Sequence, residues 1–205
     1  MAKIKLTKGE LKRQRDALKQ FQRYLPTLQL KKQQLQLEIM QQNSVLEGKK
    51  QSLLNKKQAI NLWIGLLDEP KVDLRQFLAP GKITTYLKNI AGVDIPVFTA
   101  LEFDPADYDL FVAPLWTDAA IEAFREIIIL NKEILVGQEG VAILRRELRI
   151  TTQRVNLFEK VKIPQAEENI RLIKIYIGDQ MANAVGRSKM AKRKIEDLAF
   201  AEAIA

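Results

Sequence analysis

The sequence predicts a mainly α protein, a long antiparallel two-helix coiled-coil hairpin with a small middle region that contains a short β-hairpin. Three observations predict it. Leu and Ile recur at seven-residue steps from Leu11 to Leu67, and a second seven-residue repeat occupies the C-terminal half. Between the two repeats lie five of the seven prolines, Pro70, Pro80, Pro96, Pro105 and Pro114, with most aromatics close around them. The chain therefore divides into a first helix over 1–68, a middle region over 69–117 and a second long helix over 118–205, all within a single elongated domain.

The first helix has a start signal. Thr7 followed by Glu10 fits a capping box, in which each side chain satisfies a free N–H of the first turn. Stepping by sevens from Leu11 gives Leu18, Leu25, Lys32, Ile39, Leu46, Leu53, Ile60 and Leu67, with Phe21, Leu28, Leu35 and Trp63 as a companion row. A sustained seven-residue repeat keeps one apolar seam against a partner helix and imposes a left-handed supercoil. At 1.5 Å per residue such a helix is roughly 90 Å long, too long for a globular domain to bury. Pro26 leaves the register intact and reads as a kink, not an end. Gly48 and Gly65 weaken the helix locally, by up to about 1 kcal/mol each.

The middle region carries two β-type runs, 83–90 and 95–103, around "AGVD". Gly92 supplies the positive φ of a tight turn. The stretch after them, "EFDPADYDL", is acidic and turn-rich.

Thr117 or Asp118 can cap the start of the second helix. Ile121, Ile128 and Leu135 step by seven, and after Gly137 and Gly140 the stripe moves to Val141, Leu148 and Val155. It then becomes Ile163, Ile170, Ile177, Ala184, Ala191 and Leu198. The step from Val155 to Ile163 is eight residues, so the repeat slips by one just before Pro164. A proline inside a helix deletes a hydrogen bond and clashes with the preceding turn, at about 3 kcal/mol. Slip and proline together predict that the coiled coil bends over 156–164 and re-registers its seam, with Pro164 as the candidate bend.

Composition narrows the chemistry. The 205 residues include no cysteine and no histidine. This removes disulfides, thiolates, the commonest general base and the commonest metal ligand. Neither a catalytic residue, a cofactor site nor a metal site is predicted. "VGQEGVA" has the glycines of a phosphate loop without its lysine or strand, and reads as a soft spot in a helix. Asp104, Asp107 and Asp109 lack calcium-loop spacing and read as a solvated turn. No apolar run approaches the ~18–20 residues that span a bilayer, and the basic N-terminus lacks the apolar core of a secretory signal, so a cytoplasmic protein is expected.

The net charge is +8. It is concentrated early: residues 1–75 carry 16 Lys/Arg against 7 Asp/Glu, residues 76–117 carry 2 against 5, and residues 118–205 carry 15 against 13. Basic clusters in "KGELKRQRDALKQ" (Lys12, Arg13, Arg15, Lys19) and "RSKMAKRK" (Arg187, Lys189, Lys192, Arg193, Lys194) lie near the two chain ends, which an antiparallel hairpin brings together into a positive tip. A solvated face, an acidic protein cavity and nucleic acid are the three readings of such a tip. The aromatics that would stack on bases lie in the acidic middle instead, against the last. A basic coiled-coil adaptor for nucleic acid or an anionic membrane is the alternative function.

The residues also carry a resemblance. Arg154-Val155-Asn156-Leu157, Glu159, Ile163-Pro164, Glu167 or Glu168, Ile170 and Ile173 resemble the "R-R-V-N-A-L-E-x-x-x-I-P" helix of the D subunits of the vacuolar/archaeal-type rotary ATPases. Gln153 stands where an arginine is usual, and Phe158 where the pattern has Glu. Asn89, Gly92, Val93 and Pro96 match the family's hairpin, and Leu30-Lys31-x-x-x-Leu35 loosely fits its first helix. The first helix is richer in glutamine than the family pattern, and Pro26 and the Gly137/Gly140 pair depart from it. The resemblance implies a non-catalytic rotor shaft, the central stalk, coupling ATP synthesis or hydrolysis in a catalytic head to proton or sodium translocation. Its implied partners are the catalytic and regulatory head subunits, a small central-stalk subunit and a connector to the membrane ring. Neither nucleic acid nor membrane insertion is implied, and the location is peripheral, at the membrane within the complex. On this reading Lys12, Arg13, Arg15, Lys19, Arg187, Lys189, Lys192 and Arg193 are candidate contacts with the head. Asn89, Gly92, Val93 and Pro96 are the candidate stalk-partner region.

Overall fold

A computed structural model describes residues 4–65, 74–108 and 113–204, except the side chains of 198 and 200–204. Leu67, Pro70 and Asp109 lie outside the described residues, as does the side chain of Leu198. Helix α1 spans Lys8–Asn61. A 3₁₀ turn over Leu74–Phe77 precedes strands β1 (Pro80–Ile90) and β2 (Val93–Phe103). Helix α2 spans Thr117–Leu157, a π-turn occupies Phe158–Lys162, and helix α3 spans Ile163–Ile204. The protein is thus mainly α, with one two-stranded antiparallel sheet. Contacts group the chain into two compact units, Leu30–Thr152 and Met1–Gln29 with Gln153–Ala205.

Helix α1 begins as its sequence dictates. The N–H of Glu10 donates to Thr7 Oγ1 at 3.3 Å, and Leu11 N–H to the Thr7 carbonyl at 3.0 Å. Only half of the capping box forms, because the Glu10 carboxylate turns forward to Gln14 Nε2 at 2.8 Å. The helix continues through Pro26, and Thr27 Oγ1 donates to the Tyr24 carbonyl beside it. Every described position of the predicted seam is buried or half-buried, and so is every position of the second row, Gln14, Phe21, Leu28, Leu35, Gln42, Lys49, Lys56 and Trp63.

In the unit Leu30–Thr152, α1 and α2 are antiparallel. Lys31 pairs with Glu147, Lys49 with Glu133 and Lys56 with Glu126, so residue numbers fall along α2 as they rise along α1. Leu35, Leu144 and Ile95 form one core cluster, joined by Ile39, Ile90, Val93, Val97 and Leu148. Leu46, Ile134 and Val141 form another. Losing one of these side chains to alanine costs about 2–5 kcal/mol.

Two sequence expectations about α2 need correction. Leu135 is 56% exposed, so the row Ile121–Ile128–Leu135 leaves the seam at its last member, although Ile121 is buried. The seam runs instead through Ile127, Ile134, Val141, Leu148 and Val155, in unbroken steps of seven across Gly137 and Gly140. The four apolar residues Ile127–Leu130 permit either phase on paper and are all half-buried; the phase shows at Ile134 and Val141, which pack on Leu46. The cap also differs. Ala120 N–H donates to the Trp116 carbonyl at 3.0 Å, which puts Thr117 and Asp118 inside the first turn. Among the described residues Thr117 Oγ1 is buried without a partner, so it caps nothing.

The hairpin follows its sequence closely. Ala91 (φ 51°) and Gly92 (φ 76°) are the two residues of the turn, and both take positive φ, as a type I′ turn requires. Asn89 opposes Asp94 and Ile90 opposes Val93. The strands start two or three residues earlier than the β-type runs suggest. β2 supplies most of the hairpin's core side chains; along β1 every residue but Ile90 is exposed.

In the unit formed by Met1–Gln29 and Gln153–Ala205, α1 again packs antiparallel to α2 and α3. The rings of Phe21 and Phe158 lie 5.3 Å apart, and Asn169 Nδ2 donates to Gln14 Oε1 at 3.3 Å. Val155, Ala166, Ile170 and Ile173 are buried there.

Candidate functional site

The seam repeat dictates where charge can go. Side chains on the seam face the partner helix, so basic residues off it stand in solvent. Lys12, Arg13, Arg15 and Lys19 are all exposed on the first turns of α1, with Arg13 tied to Glu10 at 3.4 Å. Arg187, Lys189, Lys192, Arg193 and Lys194 are all exposed on α3. At 100° per residue these five fall round the whole helix, not along one stripe. Lys192 leans on Glu196 at 3.6 Å.

The two clusters belong to one unit but do not meet side by side. Gln14 is opposite Asn169. Eighteen residues separate Asn169 from Arg187, about 27 Å of helix. The positive tip of the sequence reading is thus a serial arrangement, with the α1 cluster beside the start of α3 and the second cluster well beyond it.

Past its last half-buried residue, Ile177, α3 stands free in this chain: every residue from Gly178 to Asp197 is exposed. That stretch includes Met181, Val185, Met190 and Ile195, each more than half exposed. These four lie off the rows that meet α1, which continue here as Ala184 and Ala191 and as Gln180, Arg187 and Lys194. On the paired part, Arg171 forks onto Glu168 at 2.8 and 2.7 Å. That hydrogen-bonded guanidinium holds the Glu168 carboxyl below the usual range and raises the pKa of Arg171.

The hairpin residues Asn89, Gly92, Val93 and Pro96 belong to the other unit. Asn89 Oδ1 accepts from Gly92 N–H at 3.1 Å, and its Nδ2 donates to Asp94 Oδ1 at 2.6 Å, so Asn89 builds the turn. Val93 packs on the Leu35 cluster, and Pro96 is half-buried with its carbonyl over Gly140. Pro164 is exposed, directly after the π-turn. Gly137 and Gly140 are packing sites, not a soft spot: a Cβ at Gly137 would lie 2.7 Å from Leu46 Cδ2, and one at Gly140 would touch Ile95 and Pro96.

Sequence reasoning missed two constellations. The first is the row of cross-helix ion pairs, Lys31–Glu147 at 3.0 Å, Lys49–Glu133 at 2.8 Å and Lys56–Glu126 at 2.5 Å. A signal exists, since Lys49 and Lys56 continue the second row, but lysine is not ordinarily counted as a seam residue. The second is Arg125. Its guanidinium donates to the Phe77 carbonyl at 3.1 and 3.0 Å and to the Asp104 carbonyl at 2.6 Å, and lies 5.1 Å from the Phe103 ring centre. One side chain pins both the turn before the hairpin and the end of β2 to α2. Beside it, Tyr108 donates to Asp118.

Among the described residues no group of carboxylates is placed to hold a metal ion, and no helix is long and apolar enough to cross a membrane. The sequence matches the model of the ATP synthase D-subunit family over residues 10–193. It is 45% identical over 195 residues to a V-type ATP synthase D subunit of Borreliella burgdorferi, covering 95% of this chain and 96% of the relative. It is 34% identical over 197 residues to one of Chlamydia pneumoniae, covering 94% and 93%, and 32% identical over 200 residues to one of Chlamydia muridarum, covering 95% and 97%. With a family match spanning nearly the whole chain, and the helices and hairpin that carried the resemblance all in place, this protein belongs to the ATP synthase D-subunit family.

Proposed function

We propose that the chain is the central-stalk subunit of a V/A-type rotary ATPase: a shaft without catalytic residues, coupling ATP synthesis or hydrolysis in the head to proton or sodium translocation through the membrane ring. Its relatives carry the name of the V-type ATP synthase D subunit. The observation that carries the proposal is the free end of α3. Twenty residues from Gly178 to Asp197 make no buried contact within the chain, yet remain helical. Most helix stability in proteins comes from packing a face against a neighbour, so a stretch that packs on nothing calls for a partner. Basic residues all round it suit a partner that surrounds it. Attraction from a ring of charge centres a shaft without fixing its angle.

On this reading Arg187, Lys189, Lys192 and Arg193 lie within the head, and Lys12, Arg13, Arg15 and Lys19 lie lower on the same shaft. The hairpin around Asn89, Gly92, Val93 and Pro96 receives the small stalk subunit. The protein is peripheral to the membrane, held there through the connector. Co-expression with the head and small stalk subunits, followed by size exclusion and an ATPase assay, tests it. The expected result is one complex with altered ATP turnover and no turnover by the chain alone. Failure to co-assemble, with instead a steeply salt-dependent affinity for nucleic acid, would overturn it in favour of the basic adaptor.

A further inference from the structure

The seam of α2 and α3 contains one residue too many. On α2 its two rows are Val141, Leu148, Val155 and Leu144, Thr151, Phe158; on α3 they are Ile163, Ile170, Ile177 and Ala166, Ile173. From Val155 to Ile163 is eight residues, and so is the step from Phe158 to Ala166. The facing rows of α1, Leu11–Leu18–Leu25 and Gln14–Phe21–Leu28, keep strict steps of seven. In an uninterrupted α-helix the extra residue would turn the α3 seam about 100° away from α1. Yet Ala166, Ile170 and Ile173 are only 3%, 8% and 0% exposed.

The π-turn resolves this. Ile163 N–H donates to the carbonyl of Phe158, five residues back, so one wide turn takes up the surplus and the phase is restored. No residue of the turn is buried; Glu159, Lys160, Val161 and Lys162 all face solvent. The backbone of 159–162 can therefore rearrange without opening the core. The turn is held at its first residue by Phe158 on Phe21 and beyond its end by Asn169 on Gln14. Pro164 follows at once and has no N–H for the carbonyl of Lys160 four residues back, so a wide turn cannot pass that point by exchanging one backbone bond for another.

We propose that the π-turn at Phe158–Lys162 is a torsional joint: a one-residue store of backbone that sets the phase of α3 against α1 and whose own hydrogen bonds can exchange while the pairing on both sides is kept. Exchange of five-residue for four-residue hydrogen bonds moves the surplus toward the N-terminus. Pro164 stops it from moving toward the C-terminus. The inference rests on this chain alone and stands whether or not the chain is a rotor shaft.

The test uses the full chain. Deleting Lys160 together with Pro164→Ala removes the surplus and the residue that needs it. The expected variant keeps its helix content, melts no lower than Pro164→Ala alone, and exchanges the amides of 157–164 about tenfold more slowly by hydrogen–deuterium exchange. Deleting one residue from α1, Gln22, where the seven-step is unbroken, has no store to draw on and lowers Tm by ~10 °C or more. If removing Lys160 is as damaging as removing Gln22, the turn is not a store. If the deletion is tolerated but exchange over 157–164 is unchanged, the turn is not a joint. Either result overturns the proposal.

Discussion

Leu46 fills the place where Gly137 has no side chain. A Cβ on the glycine would come within 2.7 Å of Leu46 Cδ2, and Leu46 is only 6% exposed. Two effects oppose each other at this position. Alanine gains about 1 kcal/mol over glycine in a helix, while overpacking a buried leucine costs about 1–3 kcal/mol. Gly137→Ala is expected to destabilise the protein, by about 1 kcal/mol, in a denaturant titration. In a Leu46→Ala background, where the space is open, the same change should stabilise it. An unchanged sign in the two backgrounds would show that the contact does not govern this position.

The cross-helix ion pairs predict a rescue. Lys49 and Glu133 are 33% and 27% exposed, so solvent screens them and their attraction is worth about 0.5–1 kcal/mol. Lys49→Glu replaces attraction by repulsion and should cost about 1–2 kcal/mol. Adding Glu133→Lys should recover most of that. Recovery should shrink in high salt, because the pair is only partly buried.

Glu168 gives a pH marker. The Arg171 fork, the largest cause, lowers its pKa from the ordinary 4.5. A group whose folded pKa is depressed contributes stability above its unfolded pKa and loses it as pH falls through the folded value. The contribution is therefore present above about pH 4.5 and lost below it. Carboxyl NMR should show Glu168 titrating below the ordinary glutamate range. Arg171→Ala should bring it back to the ordinary range. If the side chain already titrates there with Arg171 present, the fork does not persist in solution.

Ending the chain after Ile177 separates stability from the proposed role. The removed stretch makes no buried contact up to Asp197, so the shortened protein should melt within about 2 °C of the full chain. In the assembled complex it should lose its effect on ATP turnover. A large fall in Tm would mean that the distal helix folds back on the rest.

Much of this was legible. The α1 seam could be read because leucine and isoleucine mark seven of its eight described positions, and the hairpin because Ala91-Gly92 sits between two β-branched runs. The phase of α2 was not, because Ile127, Ile128, Ile129 and Leu130 are contiguous and the phase shows only further along, where Ile134 and Val141 pack on Leu46. The eight-residue step before Pro164 was visible, but a sequence cannot say whether a bend or a wide turn absorbs it; the structure contains the wide turn. The candidate basic residues were found by composition. Their separation along α3 was not, because it depends on where α1 begins opposite α3. Arg125 left no trace, since its partners are main-chain carbonyls that any residue supplies.

All three long-range ion pairs between α1 and α2 have the same polarity, with lysine on α1 and glutamate on α2. Two copies of α1 meeting through that seam would bring ammonium against ammonium, and two copies of α2 carboxylate against carboxylate. Newly made chains, crowded together before they fold, thus carry a means of telling self from neighbour. Like helices repel, and the complementary α2 held on the same chain is at a far higher effective concentration than any other.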